Sequence, residues 1–399
     1  MNEQRLQQHL REVFVPEQRE AEVRGWRVVH GAFEARHPVH VKPRLNRLAI
    51  ALALGLLIAG IALSPAGAKM ADLVRDVVEP GNAQPALTSL PAGGRLLVSS
   101  PEGPWIVDQD GSQRLLGSYQ EAAWSPSGLF AVVSRGRQLT AVDPVGTVRW
   151  SLAAKRPVSN PTWSPSGGRV AYMSGSSLRV VAGDGTGDRL LVGHISPVAP
   201  AWRPLSEPVP AGQVAIGPRT NVLAYVDRRR RVTVRDVDSG DLLWQSHRLA
   251  LPIRELQWST DRRRLLVRTA SFVVFLDGRG QAIRRVTWPT LGASMSPGNG
   301  RTAFVRQAEH GRSDVLITGR NGSGPPRRVL TRSGRITDPT WSPDGKWLLV
   351  TRPGADQWLF IRPARRVRVE AVANISRQFA PGTTGQPPFP RTNGWCCNR

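Results

Sequence analysis

Cysteine is almost absent from this 399-residue sequence: Cys396 and Cys397 are the only two, adjacent and close to the end. That excludes a disulfide-rich scaffold and any zinc site built from spaced cysteine pairs. What remains for the pair is a vicinal disulfide in a small ring, a bridge between molecules, or two thiols. Lysine is nearly as scarce, confined to Lys42, Lys69, Lys155 and Lys346, and acidic residues are short as well. With 54 Lys and Arg against 30 Asp and Glu, the formal net charge is +24, and almost all of it is arginine. High-GC codon usage is enough to account for arginine standing in for lysine. The excess charge must still face solvent, where it suits an anionic partner. No H-E-x-x-H, G-x-S-x-G or P-loop pattern occurs. His194, His247 and His310 fall far apart, with no cysteine or serine nucleophile beside them in sequence. These absences point away from an enzyme, and no metal or cofactor is expected.

One long apolar run is present. Residues Leu48 to Ala68, LAIALALGLLIAGIALSPAGA, carry no charge. At ~1.5 Å per residue a helix of that length reaches about 30 Å, the thickness of a hydrocarbon core. Arg36, Lys42, Arg44 and Arg47 precede it closely, whereas only Lys69 and Arg75 follow closely. Basic flanks stay in the cytoplasm, so the expectation is a single span with the N-terminus inside and the C-terminal part outside. The alternative is a signal peptide cleaved near Ala68, releasing a secreted protein. Nearly fifty residues before the run favour the uncleaved anchor. Within residues 1–46, Val23, Trp26, Val29 and Phe33 recur at helical spacing, which predicts a short cytoplasmic helical segment. The organisation expected is therefore 1–46 cytoplasmic, 47–68 transmembrane, 69–92 linker, 93–385 folded domain and 386–399 tail.

The folded domain repeats. Ala122-Ala123-Trp124-Ser125-Pro126-Ser127-Gly128, Pro161-Thr162-Trp163-Ser164-Pro165-Ser166-Gly167 and Pro339-Thr340-Trp341-Ser342-Pro343-Asp344-Gly345 each precede an apolar run. Looser copies begin at Trp202, Trp258, Met295 and Phe379, and successive anchors lie 39, 39, 56, 37, 46 and 38 residues apart. A period near forty with several short strands per unit is the pattern of propeller blades. In the copy at Trp163, PTW reads as an inner strand and SPSG as a turn. RVAYMS and LRVVAG read as the second and third strands, and RLLVGH as the outer strand. The inner tryptophans are expected to wedge between neighbouring blades.

The Trp-Ser-Pro-[Ser/Asp]-Gly turn, the strand after it and Gly turns such as VDQDG at 107–111 resemble the TolB-type propeller repeat, which is related to the WD-repeat class. The resemblance spans about residues 93–385. Asp236-x-x-x-Gly240-x-x-x-Trp244, and nearly so Asp143-x-x-Gly146-x-x-x-Trp150, is similar to the repeat of quinoprotein-like propellers. The calcium-binding and cofactor-stacking residues of such dehydrogenases are missing. Both resemblances imply an all-β propeller, and the seven anchors from Trp124 to Phe379 predict seven blades, six being the alternative. The first blade has outer strands but no preceding Trp-Ser-Pro turn, while Phe379 has the turn but no blade after it. The expectation is a composite blade in which the strand at Phe379 joins Gly93–Ser100, closing the ring. The spacing of 56 implies an insertion, Leu205 to Thr220, in the first turn of its repeat.

Strand order puts the Trp-Ser-Pro and Asp/Gly turns on one face and the loops between second and third strands on the other. The second face carries Arg135, Arg137, Arg228, Arg229, Arg230 and Arg231, with Arg268, Arg306, Arg312 and Arg352 in or beside its loops. These ten form the candidate binding face. Trp124, Trp163, Trp202, Trp258, Met295, Trp341 and Phe379 are the blade anchors. Nucleic acid does not suit an extracytoplasmic domain whose basic loops lack stacking aromatics. The partners expected are a protein or an anionic envelope component. TolB-like propellers imply a non-catalytic binding platform at the cell envelope. The alternatives are a transmembrane sensor relaying to the cytoplasmic helix and, least favoured, a propeller enzyme.

Overall fold

The structure, a computed structural model, describes residues 83–397 except positions 208, 211, 212, 299, 320, 321 and 323. The segments expected to be cytoplasmic and membrane-spanning, and the start of the expected linker, lie outside the described residues. Seven four-stranded antiparallel sheets follow one another as the blades of a β-propeller. Blade 3 shows the unit: inner strand Val158–Trp163, second strand Arg169–Ser174, third strand Ser177–Ala182 and outer strand Arg189–Val192.

The repeat motif folds as it does because its serine satisfies the turn. Ser164 N–H donates to Arg169 O, and Arg169 N–H donates to the Ser164 hydroxyl. Ser125, Ser259 and Ser342 accept in the same way from Phe130, Arg264 and Trp347. The Ser or Asp two residues later bonds the first hydroxyl, as in Ser342 Oγ to Asp344 at 2.6 Å. Such side-chain bonds stabilise turns at the expense of continued strand.

Seven apolar clusters make the core, and each is shared by two neighbouring blades. A central strand such as Val222–Val226 is therefore buried on both faces and reads as an unbroken apolar run, whereas the outer strand Leu242–Gln245 is partly exposed. Three tryptophan anchors bridge blades through their indole N–H groups, whereas Trp163 donates to Gly167 O of its own turn at 3.0 Å. Trp202 donates to Thr162 O at 3.2 Å, Trp258 to Ala201 O at 3.2 Å and Trp341 to Ser294 O at 3.1 Å. Met295 has no such donor. There Gln257 of the preceding blade clasps the Met295 backbone, accepting from its N–H at 2.8 Å and donating to its O at 3.3 Å. The outer tryptophans of the Asp-Gly-Trp motifs wedge the other rim. Trp150 and Trp244 lie against Gly185 (φ +87°) and Gly280 (φ +79°) in the turns of the next blade. A Cβ at these glycines would sit 2.7 and 2.6 Å from the indoles.

The ring closes through a composite blade, but with a different strand from the one expected. Arg391–Cys396, read from sequence as tail, pairs antiparallel with Arg95–Ser100, matching Trp395 to Leu96. Phe379 is instead fully buried as the C-cap of a one-turn helix, Ile375–Gln378, in the connection from blade 7 to blade 1. It packs 5.3 Å from Trp358 and 5.9 Å from Trp105, centroid to centroid. The turn-like Phe-Ala-Pro-Gly spelling hid this: an aromatic plugging the seam between two blades has the same local pattern as one ending an inner strand. Leu87, Leu90 and Ala92, read as linker, join the same cluster, so the seam is filled from both chain ends.

Candidate functional site

Of the ten arginines of the expected binding face, Arg137, Arg228, Arg229, Arg230 and Arg231 lie in loops between second and third strands, Arg135, Arg312 and Arg352 at the strand ends beside such loops, and Arg268 and Arg306 inside second strands. Arg135, Arg137, Arg228 and Arg229 are exposed. Arg228 donates to His194 Nδ1 at 2.9 Å. The half-buried ones act largely as fasteners. Arg230 holds Ala250 O at 2.8 Å and Arg231 holds Gln245 at 2.9 Å. Arg268 pairs with Glu255 at 2.7 Å, and Arg352 bonds Ser333 Oγ at 2.8 Å. Arg306 reaches Asp314, a nearly fully buried carboxylate, at 2.8 Å, and lies over the Trp288 ring. Hydrogen bonds from Thr331 and Arg306, and the Arg306 charge, outweigh burial and hold the Asp314 carboxyl below the ordinary range. Arg312 is half-buried at the start of its strand. Lys155 and Arg156, on the connector from blade 2 to blade 3, are exposed on the same side as Arg135 and Arg137 and extend that patch.

On the inner strands near this side, burial pushes the Glu121 carboxyl up, against a hydrogen bond from Asn160 N–H. Burial also raises Glu255, and the neighbouring charge of Asp338 adds to the rise while Arg268 opposes it. Among the described residues no three His, Cys, Asp or Glu side chains converge as a metal site would require.

The opposite face, that of the Trp-Ser-Pro turns, holds a feature not anticipated in kind. A cavity of about 1000 Å³ opens there between blades 2, 3 and 4. Its floor is aromatic: Phe130 and Trp163 stack with centroids 6.2 Å apart and planes at 18°, and Trp150 lies beside them. Leu129 forms one rim. The blade-4 insertion forms the other through Val209, Pro210 and the run Gln213–Gly217. Ala215 N–H donates to Ser166 O at 3.0 Å, fixing the insertion on the blade-3 turn. Beneath it a polar chain is closed on itself. Ser166 Oγ donates to Asn221 Oδ1 at 2.5 Å, Asn221 Nδ2 to Asp238 at 2.7 Å, and Arg169 Nε to Asp238 at 2.8 Å. Asp184 accepts from both N–H and hydroxyl of Thr186, and these bonds hold its carboxyl below the ordinary range. Arg149 is paired with Asp143 at 2.9 Å.

The result is an apolar recess whose charged neighbours are already partnered, with Ile216 standing 94 % exposed and Val214 52 % exposed on its lip. Large exposed aliphatics beside an aromatic hollow mark contact surfaces. The sequence signal was the insertion itself: Val209, Val214 and Ile216 are its bulky apolar residues beside Leu205, in a loop otherwise rich in Pro, Gly, Ala and polar residues.

No family model matches the chain, and the search of curated proteins returns no significant match. Solved structures do resemble it. The C-terminal WD40 domain of Sif2 superposes with a TM-score of 0.51 at 13% identity, covering 73% of this chain and 84% of that one. Hsv2 of Kluyveromyces marxianus gives 0.50 at 9% identity, covering 70% and 93%. At such identities the likeness establishes a WD40-like propeller fold and leaves function to the site.

Proposed function

We propose that this chain is a membrane-anchored β-propeller working outside the cytoplasm as a non-catalytic binding platform for a protein partner. The observation that carries the reading is the aromatic-floored cavity between blades 2, 3 and 4, set in a closed rigid ring and surrounded by polar groups that satisfy one another. Such a surface holds a partner by shape and apolar contact and offers no group poised for proton transfer. The uncharged run Leu48–Ala68 and its basic N-terminal flank support the anchor and its orientation. The resemblance to TolB-type repeats supports an envelope role. On the far side, Arg135, Arg137, Lys155, Arg156, Arg228 and Arg229 offer a second area suited to an acidic surface, with contacts that weaken as salt rises.

The test uses the full chain in its own membrane. A C-terminal epitope should be removed by protease added to intact spheroplasts, and benzophenone placed at Ile216 or Arg229 should crosslink to envelope proteins. Protection of the epitope together with absence of crosslinks from both positions would refute the platform.

A further inference from the structure

We propose that Cys396 and Cys397 form a vicinal disulfide that exchanges with the dithiol of a partner oxidoreductase. This goes beyond the platform reading and makes no use of the cavity between blades 2, 3 and 4. It takes from that reading only the compartment outside the cytoplasm, where disulfides persist. In the structure the two sulfurs are bonded to each other, and these are the only cysteines of the chain. Neighbours along a strand send their side chains to opposite faces. Here Cys396 is the last residue of the ring-closing strand Arg391–Cys396, and Cys397 turns left-handed, with φ +61°. That turn brings both sulfurs onto one neighbour, the Trp-Ser-Pro turn of blade 2. Cys396 Sγ lies 3.8 Å from Ser125 O, and Cys397 Sγ lies 3.5 Å from Pro126 O. The seat has room for sulfur because residue 128 is glycine: a Cβ there would come within 2.8 Å of Cys397 Sγ.

A disulfide that staples a fold joins residues far apart, since its effect on the unfolded chain grows with the loop it closes. At a sequence separation of 1 this pair closes the shortest loop two cysteines can, and it constrains the unfolded chain least. The strand itself is held by backbone pairing, Cys396 opposite Arg95. What the position offers is access. Both cysteines are half-buried, and Cys397 lines a polar hollow of about 860 Å³ between blades 1 and 2, beside Arg95, Asp110, Arg114 and Val145. Accessible disulfides are the labile ones. A partner thiolate entering this hollow attacks Cys397 Sγ. The bond between the two cysteines breaks, and Cys396 leaves as a thiolate that takes a proton from water. The partner is then held in a mixed disulfide. Its second thiolate attacks its own sulfur in that bond, which closes the partner's disulfide and releases Cys397 as a thiolate, protonated in turn. Two electrons pass from the partner to the pair, and an oxidised partner runs the same steps backwards.

The test follows thiol state by intact mass in the full chain, taken from acid-quenched cells, blocked with N-ethylmaleimide and placed in lipid nanodiscs. No maleimide should add before reduction. Reduced thioredoxin, the probe dithiol, should then open both cysteines to alkylation within minutes. The reduced chain should bind phenylarsine oxide, a reagent for paired thiols, and the oxidised chain should not. A thioredoxin variant lacking its second cysteine should be trapped in a mixed disulfide, and fragmentation of the peptide Thr392–Arg399 should place it on Cys397. Alkylation of both cysteines before any reductant would overturn the inference, as would a disulfide-linked dimer of the chain or a mixed disulfide on Cys396. So would an internal disulfide that thioredoxin leaves untouched while a phosphine reductant opens it in urea. The platform would stand after any of these results. It falls on a different one, the missing crosslinks and protected epitope described above, neither of which involves the cysteines.

Discussion

Replacing the inner-strand tryptophans one at a time by phenylalanine separates two contributions to the ring: aromatic volume and the indole N–H that crosses from blade to blade. Trp202, Trp258 and Trp341 are buried, and each donates to the carbonyl that precedes the anchor of the neighbouring blade, at 3.1–3.2 Å. Trp124 has a buried Nε1 with no acceptor among the described residues. Phenylalanine keeps most of the ring packing at all four. At Trp202, Trp258 and Trp341 it also removes a hydrogen bond worth about 1 kcal/mol net and leaves the acceptor carbonyl of a half-buried residue without that donor, which adds to the cost. At Trp124 it removes an unsatisfied donor instead, which offsets part of the lost packing.

The expected excess cost is therefore about 1–2 kcal/mol for each of Trp202→Phe, Trp258→Phe and Trp341→Phe over Trp124→Phe. The half-buried position of Trp124 widens the gap in the same direction. Gln257→Ala, which releases the Met295 backbone, should cost a comparable 1–2 kcal/mol although it touches no tryptophan. Urea unfolding of the full chain followed by far-ultraviolet circular dichroism reads these differences directly. If Trp124→Phe proved as costly as Trp341→Phe, the indole bridges would not be what ties blade to blade.

Three further outcomes follow from the same structure. Trp395→Ala and Phe379→Ala each empty part of the seam between blades 7 and 1 and should cost about 3–5 kcal/mol in urea unfolding; a loss below 1 kcal/mol would mean that the ring does not depend on this seam. Hydrogen bonds from the Gln281 and then the Arg279 N–H hold the Asp277 carboxyl below its ordinary range, so its contribution is present at neutral pH and fades as pH falls through that lowered value. Asp277→Ala should cost about 1 kcal/mol at pH 7, and the difference from the parent should shrink steadily below pH 4; a constant difference across that range would contradict the assignment. Arg306→Ser strands the buried Asp314 carboxylate and should cost about 2 kcal/mol, whereas Arg228→Ser with Arg229→Ser should stay within about 0.5 kcal/mol, both read by thermal or urea unfolding.

Local chemistry repeated along the chain made the fold legible before any coordinates. A serine that caps its own turn, a glycine where the backbone turns left-handed and, in most blades, a tryptophan at the end of the inner strand recur near every fortieth residue, and the serine and glycine act within a few residues of themselves. The same locality explains the insertion at Leu205–Thr220, which a spacing of 56 announced, and the outward position of Arg228 and Arg229 in a four-arginine hairpin. Whatever depended on residues far apart in sequence waited for the tertiary structure. That Trp395, not Phe379, sits opposite Leu96 on the closing strand follows from the blade-7 connection, which places Phe379 in the seam and leaves Arg391–Cys396 to pair. That Arg268, Arg306 and Arg352 fasten the ring follows from Glu255, Asp314 and Ser333, which are 13, 8 and 19 residues away in sequence but adjacent across strands. The cavity needed three blades at once: Leu129 and Phe130 from one, Trp163 from the next and the insertion from a third. A hollow exists only between surfaces, and no single repeat contains it.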